Sequence, residues 1–139
     1  MNEIRVKALN ENVDKVVDFV NSELEAKDCS IKAQTQIDVA IDELFSNIAN
    51  YAYVGEVGDA IIQISFEEID DCQSNICMIK FIDSGKPYNP LEKEDPDTSL
   101  SAEEREIGGL GIFIVKKTMD DMQYEYKNGQ NILSIKKKI

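Results

Sequence analysis

The sequence predicts an α+β fold, a two-layer sandwich with a mixed or antiparallel sheet and its helices on one face. Three observations predict it. The residue periodicities run strand, two helices, two strands, loop, helix, two strands. The strands that follow one another are joined by short polar turns, which antiparallel pairing permits and a parallel crossover does not. Finally, 139 residues, 42% of them apolar, suffice for one core and not for two, so a single domain over 1–139 is expected.

Each element has its own signal. Ile4, Val6 and Ala8 alternate with Arg5 and Lys7, which reads as a short edge strand over 4–9. Val13, Val16, Val17, Val20 and Leu24 recur at helical spacing, giving a first helix over 11–26. Ser30 is placed to cap a longer second helix running to about Tyr53, with Ile37, Ala40, Ile41, Leu44, Ile48 and Tyr51 on its apolar side. The runs 60–66 and 76–82 are core strands joined by a polar turn near 70–75. A polar stretch up to Ile107 holds all three prolines, Pro87, Pro90 and Pro96. A loop of that length in a compact domain is commonly functional, and a lid over 86–107 anchored by Leu91 and Leu100 is expected. Helical spacing resumes at Leu110 and runs to Met119; the chain closes in a hairpin turning at Asn128-Gly129.

Composition removes several function classes. With 27 acidic and 15 basic residues the net charge is −12, which disfavours direct nucleic-acid or anionic-membrane binding. It suits a partner with a basic surface, or simply a soluble acidic one. No apolar run is long enough to span a membrane, and the N-terminal residues lack a secretory pattern. The chain has no histidine, so a zinc site or a histidine general base is excluded. Cys29, Cys72 and Cys77 read as reduced thiols of a cytoplasmic protein, with a Cys72–Cys77 bridge as the alternative.

Three segments carry chemistry. On the second helix, Glu43, Asn47 and Asn50 fall on one polar stripe at the shoulder of the apolar arc. The Asn47 amide oxygen suits magnesium, and Glu43 one turn earlier suits a general base; a solvated polar face is the plainer reading. Asp83 ends an apolar strand and is followed by Ser84-Gly85. A carboxylate there can accept from the exocyclic amine of adenine, and a glycine lets a flat ring approach; an ordinary turn reads the same way. Gly108, Gly109 and Gly111 then lead directly into a helix, where free amides bind phosphate, or where a flexible hinge sits. Neither a Walker pattern nor a dinucleotide fingerprint is present.

In order and spacing these segments resemble the GHKL superfamily of ATPases and kinases. IDELFSNIANYAY is similar to its N box, FIDSGKPYNP to its G1 box and GGLGIFIVKKTMDDMQY to its G2 box. The short chain and the D-x-G-x-P-Y-N-P form look most like the anti-sigma-factor serine/threonine kinases of bacteria. The resemblance implies Glu43 as catalytic base and Asn47 as magnesium ligand. It implies an ATP site made of Asn47, Asn50, Asp83, Gly85, Gly108, Gly109, Leu110, Gly111 and Ser134. It also implies phosphotransfer from ATP to a small antagonist protein and capture of a sigma factor, and it leaves room for a homodimer. Two departures stand out: Tyr51 where many relatives carry histidine, and Pro87 where the fuller G1 pattern has a second glycine. As the sequence stands, neither a complete sensor histidine kinase nor a gyrase-like machine is expected. The competing expectations are a non-catalytic ATP- or ADP-dependent binding module and a slow ATPase.

Overall fold

The computed structural model describes residues 1–69, 74–92 and 109–139. Expectations placed on Cys72, Leu100, Gly108 and the 93–107 part of the loop lie outside the described residues. The element order is β1 (Asn2–Lys7), α1 (Val13–Glu25), α2 (Ile31–Asn47), β2 (Asp59–Ile69), β3 (Ser74–Asp83), α3 (Gly109–Thr118), β4 (Asp121–Lys127) and β5 (Gln130–Lys138). The five strands form one sheet in the order β1-β2-β3-β5-β4. Among the described residues every pairing is antiparallel. The predicted α+β architecture is the observed one.

Strand alternation decides the layers. Ala60, Ile62 and Ile64 of β2, Cys77, Ile79 and Phe81 of β3, and Leu133 and Ile135 of β5 all turn to the same buried face. They pack with Val16, Val20 and Leu24 of α1, with Ile37, Ile41, Leu44 and Phe45 of α2, and with Ile112 and Val115 of α3 in one core. Asp83 and Asn131 continue those same alternations, which carries two polar side chains onto the buried face at the sheet's end. That is where the candidate site forms.

Local chemistry sets the element ends. The Ser30 hydroxyl accepts from the Ala33 amide at 3.1 Å, the cap the sequence called for. A single 3-10 turn at Asn10–Asn12 precedes α1, so that helix starts later than its periodicity suggested. The second helix does not run unbroken to Tyr53. It ends at Asn47 and continues as a π-helical turn, Ile48–Ala52. The wider i→i+5 turn shifts the phase of the residues on it. Tyr51, expected on the apolar side, is therefore 55% exposed, while Phe45, absent from the periodic set, is fully buried. A second 3-10 turn, Pro90–Glu92, breaks what read as structureless loop. Leu91 packs partly buried against the core there.

The π turn meets the chain after β3 at Gly85. The Lys86 amide donates to the Ala52 carbonyl at 3.0 Å. A Cβ on Gly85 would stand 2.2 Å from that carbonyl oxygen and 2.6 Å from its carbon. Backbone cannot yield as a side-chain tip can, so glycine is required here by packing against Ala52 and not by a ligand approaching from that side. Gly85→Ala should cost on the order of 1–3 kcal/mol of stability, read by denaturant unfolding. An unchanged midpoint would show that the turn is looser than this.

Candidate functional site

At the end of the sheet, Asp83 is 6% exposed, and burial pushes its carboxyl above the ordinary range; bonds from Asn131 and Gly85 pull the other way. Both bonds fall on one oxygen. Asp83 Oδ1 accepts from the Gly85 amide at 2.9 Å and from Asn131 Nδ2 at 2.9 Å. Among the described residues no hydrogen bond falls on Oδ2.

Asn131 is the hub that sequence reasoning missed. Its Nδ2 donates to Asp83 and to the Lys86 carbonyl, each at 2.9 Å. Its Oδ1 accepts from the Tyr88 amide at 3.1 Å and from the Tyr124 hydroxyl. One buried amide thus satisfies all its capacity and ties β3, β5, β4 and the 86–88 segment together. The signal was legible: the alternation Asn131, Leu133, Ile135 puts a polar side chain on an apolar face. Tyr53 fixes the same turn from the other side, its hydroxyl donating to the Asp59 carbonyl at 2.6 Å and accepting from the Ser84 amide at 2.9 Å.

A cavity of about 40 Å³ lies between α2 and this network, lined by Leu44, Asn47, Ile48, Ala52, Phe81, Asp83, Lys86, Tyr88, Pro90, Tyr124, Asn131 and Leu133. At roughly 10–15 Å³ for each water on that measure, the space holds a few water molecules. The lining combines apolar walls from Leu44, Ile48, Phe81 and Leu133 with one carboxylate at the end.

Asn47 lines the cavity beside Asp83, and its Nδ2 is buried with no hydrogen-bond partner. An amide is assigned its orientation from its bonds, and the opposite assignment puts an oxygen at that spot. The Asn47 amide carries one oxygen of the hard type that magnesium takes. Among the described residues no three His, Cys, Asp or Glu side chains gather to hold a metal by themselves. Magnesium held by one protein oxygen, waters and phosphates needs no such cluster.

Glu43 lies one turn before Asn47 on α2. Its carboxylate rests on the first turn of α3: a Cβ on Gly111 would stand 2.2 Å from its Cδ and Oε2. The absent side chain of Gly111 is therefore what lets the carboxylate reach the helix start. Gly109 opens α3, and the amides of that first turn, Leu110 and Gly111 included, have no carbonyl partner within the helix. Gly108 lies outside the described residues.

Two expected site residues are elsewhere. Asn50 sits on the π turn, exposed, with its Oδ1 accepting from Asn10 Nδ2 at 2.9 Å. The widened turn has carried it off the stripe that straight-helix geometry drew through Glu43 and Asn47. Ser134 pairs with Lys80 and lines a polar depression on the opposite face of the sheet, with Met78, Lys80 and Gln123. The period of two turns it away from Asp83, and Asn131 and Leu133 are the β5 residues that face the cavity.

Several known proteins are similar to this chain. A profile of the histidine kinase-like ATPase domain matches residues 6–137. The serine-protein kinase RsbW of Listeria monocytogenes is 25% identical over 111 residues, spanning 77% of this chain and 68% of that protein. The serine-protein kinase RsbW of Bacillus thuringiensis is 30% identical over 102 residues, spanning 70% of this chain and 60% of that one. Among solved structures, the Acinetobacter baumannii histidine kinase AdeS matches with a TM-score of 0.48 and 16% identity, over 98% of this chain and 66% of that one. The chain belongs to the histidine kinase-like ATPase domain family.

Proposed function

We propose that the chain is a cytoplasmic serine/threonine protein kinase that binds ATP with magnesium in the Asp83 cavity. It would pass the γ-phosphoryl group to a serine or threonine of a small antagonist protein, and also sequester a sigma factor. The observation that carries the nucleotide reading is the buried Asp83 with one oxygen saturated and the other open, beside the unpartnered amide of Asn47. The relatives named serine-protein kinase support the choice of acceptor.

In this reading each residue has one task. Asp83 Oδ2 accepts from the adenine amine, and Asn131 keeps the carboxylate from rotating. Leu44, Ile48, Phe81 and Leu133 exclude water from the ring. The amides of Gly109, Leu110 and Gly111 face phosphate oxygens, helped by the helix dipole. Asn47 would hold magnesium, which when bound neutralises phosphate charge. Glu43 takes the proton of the attacking hydroxyl onto its carboxylate, and its place against Gly111 sets it beside the phosphate-binding helix start.

The test is incubation of the full chain with labelled ATP and the protein encoded beside its gene. Label on a serine or threonine of that protein supports the kinase. Label released only as free phosphate favours the slow ATPase, and bound nucleotide with no turnover favours the binding module.

A further inference from the structure

We propose that the groove beside the nucleotide cavity holds an arginine side chain, presented by an extended segment of a partner protein. The groove is an open depression of about 490 Å³, lined by Pro87, Tyr88, Asn89, Glu92, Tyr124 and Tyr126. Among the described residues that wall carries three tyrosines, one carboxylate, Pro87 and Asn89, and no basic side chain. A guanidinium stacks on aromatic faces and is weakly hydrated, so tyrosines beside a carboxylate suit it better than a lysine ammonium. The net charge of −12 draws a basic segment toward the surface.

The strand beneath the groove accounts for the extended form. Tyr124 and Tyr126 stand two residues apart on the same side of β4. β4 is the last strand of the sheet and pairs only with β5 among the described residues. An extended segment laid along its free edge adds a strand and sends every second side chain to the groove's side. The wall is also held in place. Asn131 Oδ1 bonds both the Tyr88 amide and the Tyr124 hydroxyl, and the Leu91 amide donates to Asn89 Oδ1 at 2.9 Å. Tyr126, 46% exposed, has no core role that would explain an aromatic ring there.

The inference stands apart from the nucleotide reading and is measured without nucleotide. The probes are short acetylated and amidated peptides of threonine and serine around a central arginine, with twins carrying norleucine or glutamate instead. Titration of the full chain, followed by calorimetry, should show the arginine peptide binding roughly tenfold tighter than either twin. Tyr126→Ala and Glu92→Lys should each weaken the arginine peptide by a similar factor, with thermal midpoints matching wild type to show intact folding. Equal binding of the norleucine peptide would overturn the proposal, because the groove would then be only an apolar cleft. Binding unchanged in both variants, or no binding by the arginine peptide, would overturn it as well.

Discussion

Glu43→Gln should lower phosphotransfer roughly 10²–10⁴-fold while leaving Mg-ATP affinity nearly unchanged. The carboxylate rests against the Gly111 backbone, where glutamine keeps its shape. What the substitution removes is the ability to take a proton. In the proposed reading binding rests on other residues: Asp83 for the base, Asn47 for the metal and the α3 amides for phosphate. Asn47→Ala supplies the contrast, since it should weaken magnesium-dependent binding itself. Nucleotide titration beside single-turnover phosphorylation separates the two. If Glu43→Gln turned over like wild type, the carboxylate would be a packing partner of α3 and not a base.

Asp83→Asn should cost about 1–3 kcal/mol of ATP affinity, roughly tenfold to a hundredfold. Its Oδ1 can still accept from Gly85 and Asn131, so the turn is kept. The other position then carries an amide donor facing the adenine amine, two donors with no acceptor between them. Stability should move differently from affinity. Burial raises the Asp83 carboxyl above its ordinary 3.8, so the folded state binds its proton more tightly than the unfolded chain does. As pH rises through the window from the unfolded value to the raised folded one, the unfolded chain sheds its proton first and the folded state loses stability. Asp83→Asn has no such group. Wild-type stability measured against the variant should therefore decline as pH rises through that window, and level off above it. Unfolding midpoints across acid pH check the sign; a relative rise would mean that the bonds from Asn131 and Gly85 outweigh burial.

Most of the fold was legible because binary patterning reports it directly. The alternation in β1, the apolar runs of β2 and β3, the Asn128-Gly129 turn and the 3.6-residue spacing in α1 gave the elements, and short turns gave antiparallel order. Strand ends were less legible: β2 and β3 extend beyond their apolar runs to Ile69 and Ser74, because ladder bonds do not need apolar side chains. The site was legible where a residue's role follows from position on a regular element. Asn47 and Asp83 do meet at one cavity, and Glu43 does reach the start of α3. It failed where regularity fails. The π turn at Ile48–Ala52 cannot be seen in an apolar period, so Asn50 and Tyr51 were assigned to faces they do not occupy. Ser134 failed for a simpler reason: it was chosen by its hydroxyl, and counting by twos from Leu133 would have rejected it. The role of Gly85 also changed, since Ala52 fills the space a Cβ would take. Close packing of two backbone segments leaves no mark in sequence beyond the glycine itself.

The central claim is that Asp83, held by Asn131 at the cavity's end, reads adenine. Titration of the full chain with ATP and with GTP, each with magnesium, tests it most directly. Guanine presents a carbonyl oxygen where adenine presents its amine, and an acceptor facing the Asp83 carboxylate is repelled. ATP should bind at least about tenfold tighter than GTP, and Asp83→Asn should narrow that gap. Equal affinity of the wild-type chain for the two nucleotides would contradict the account.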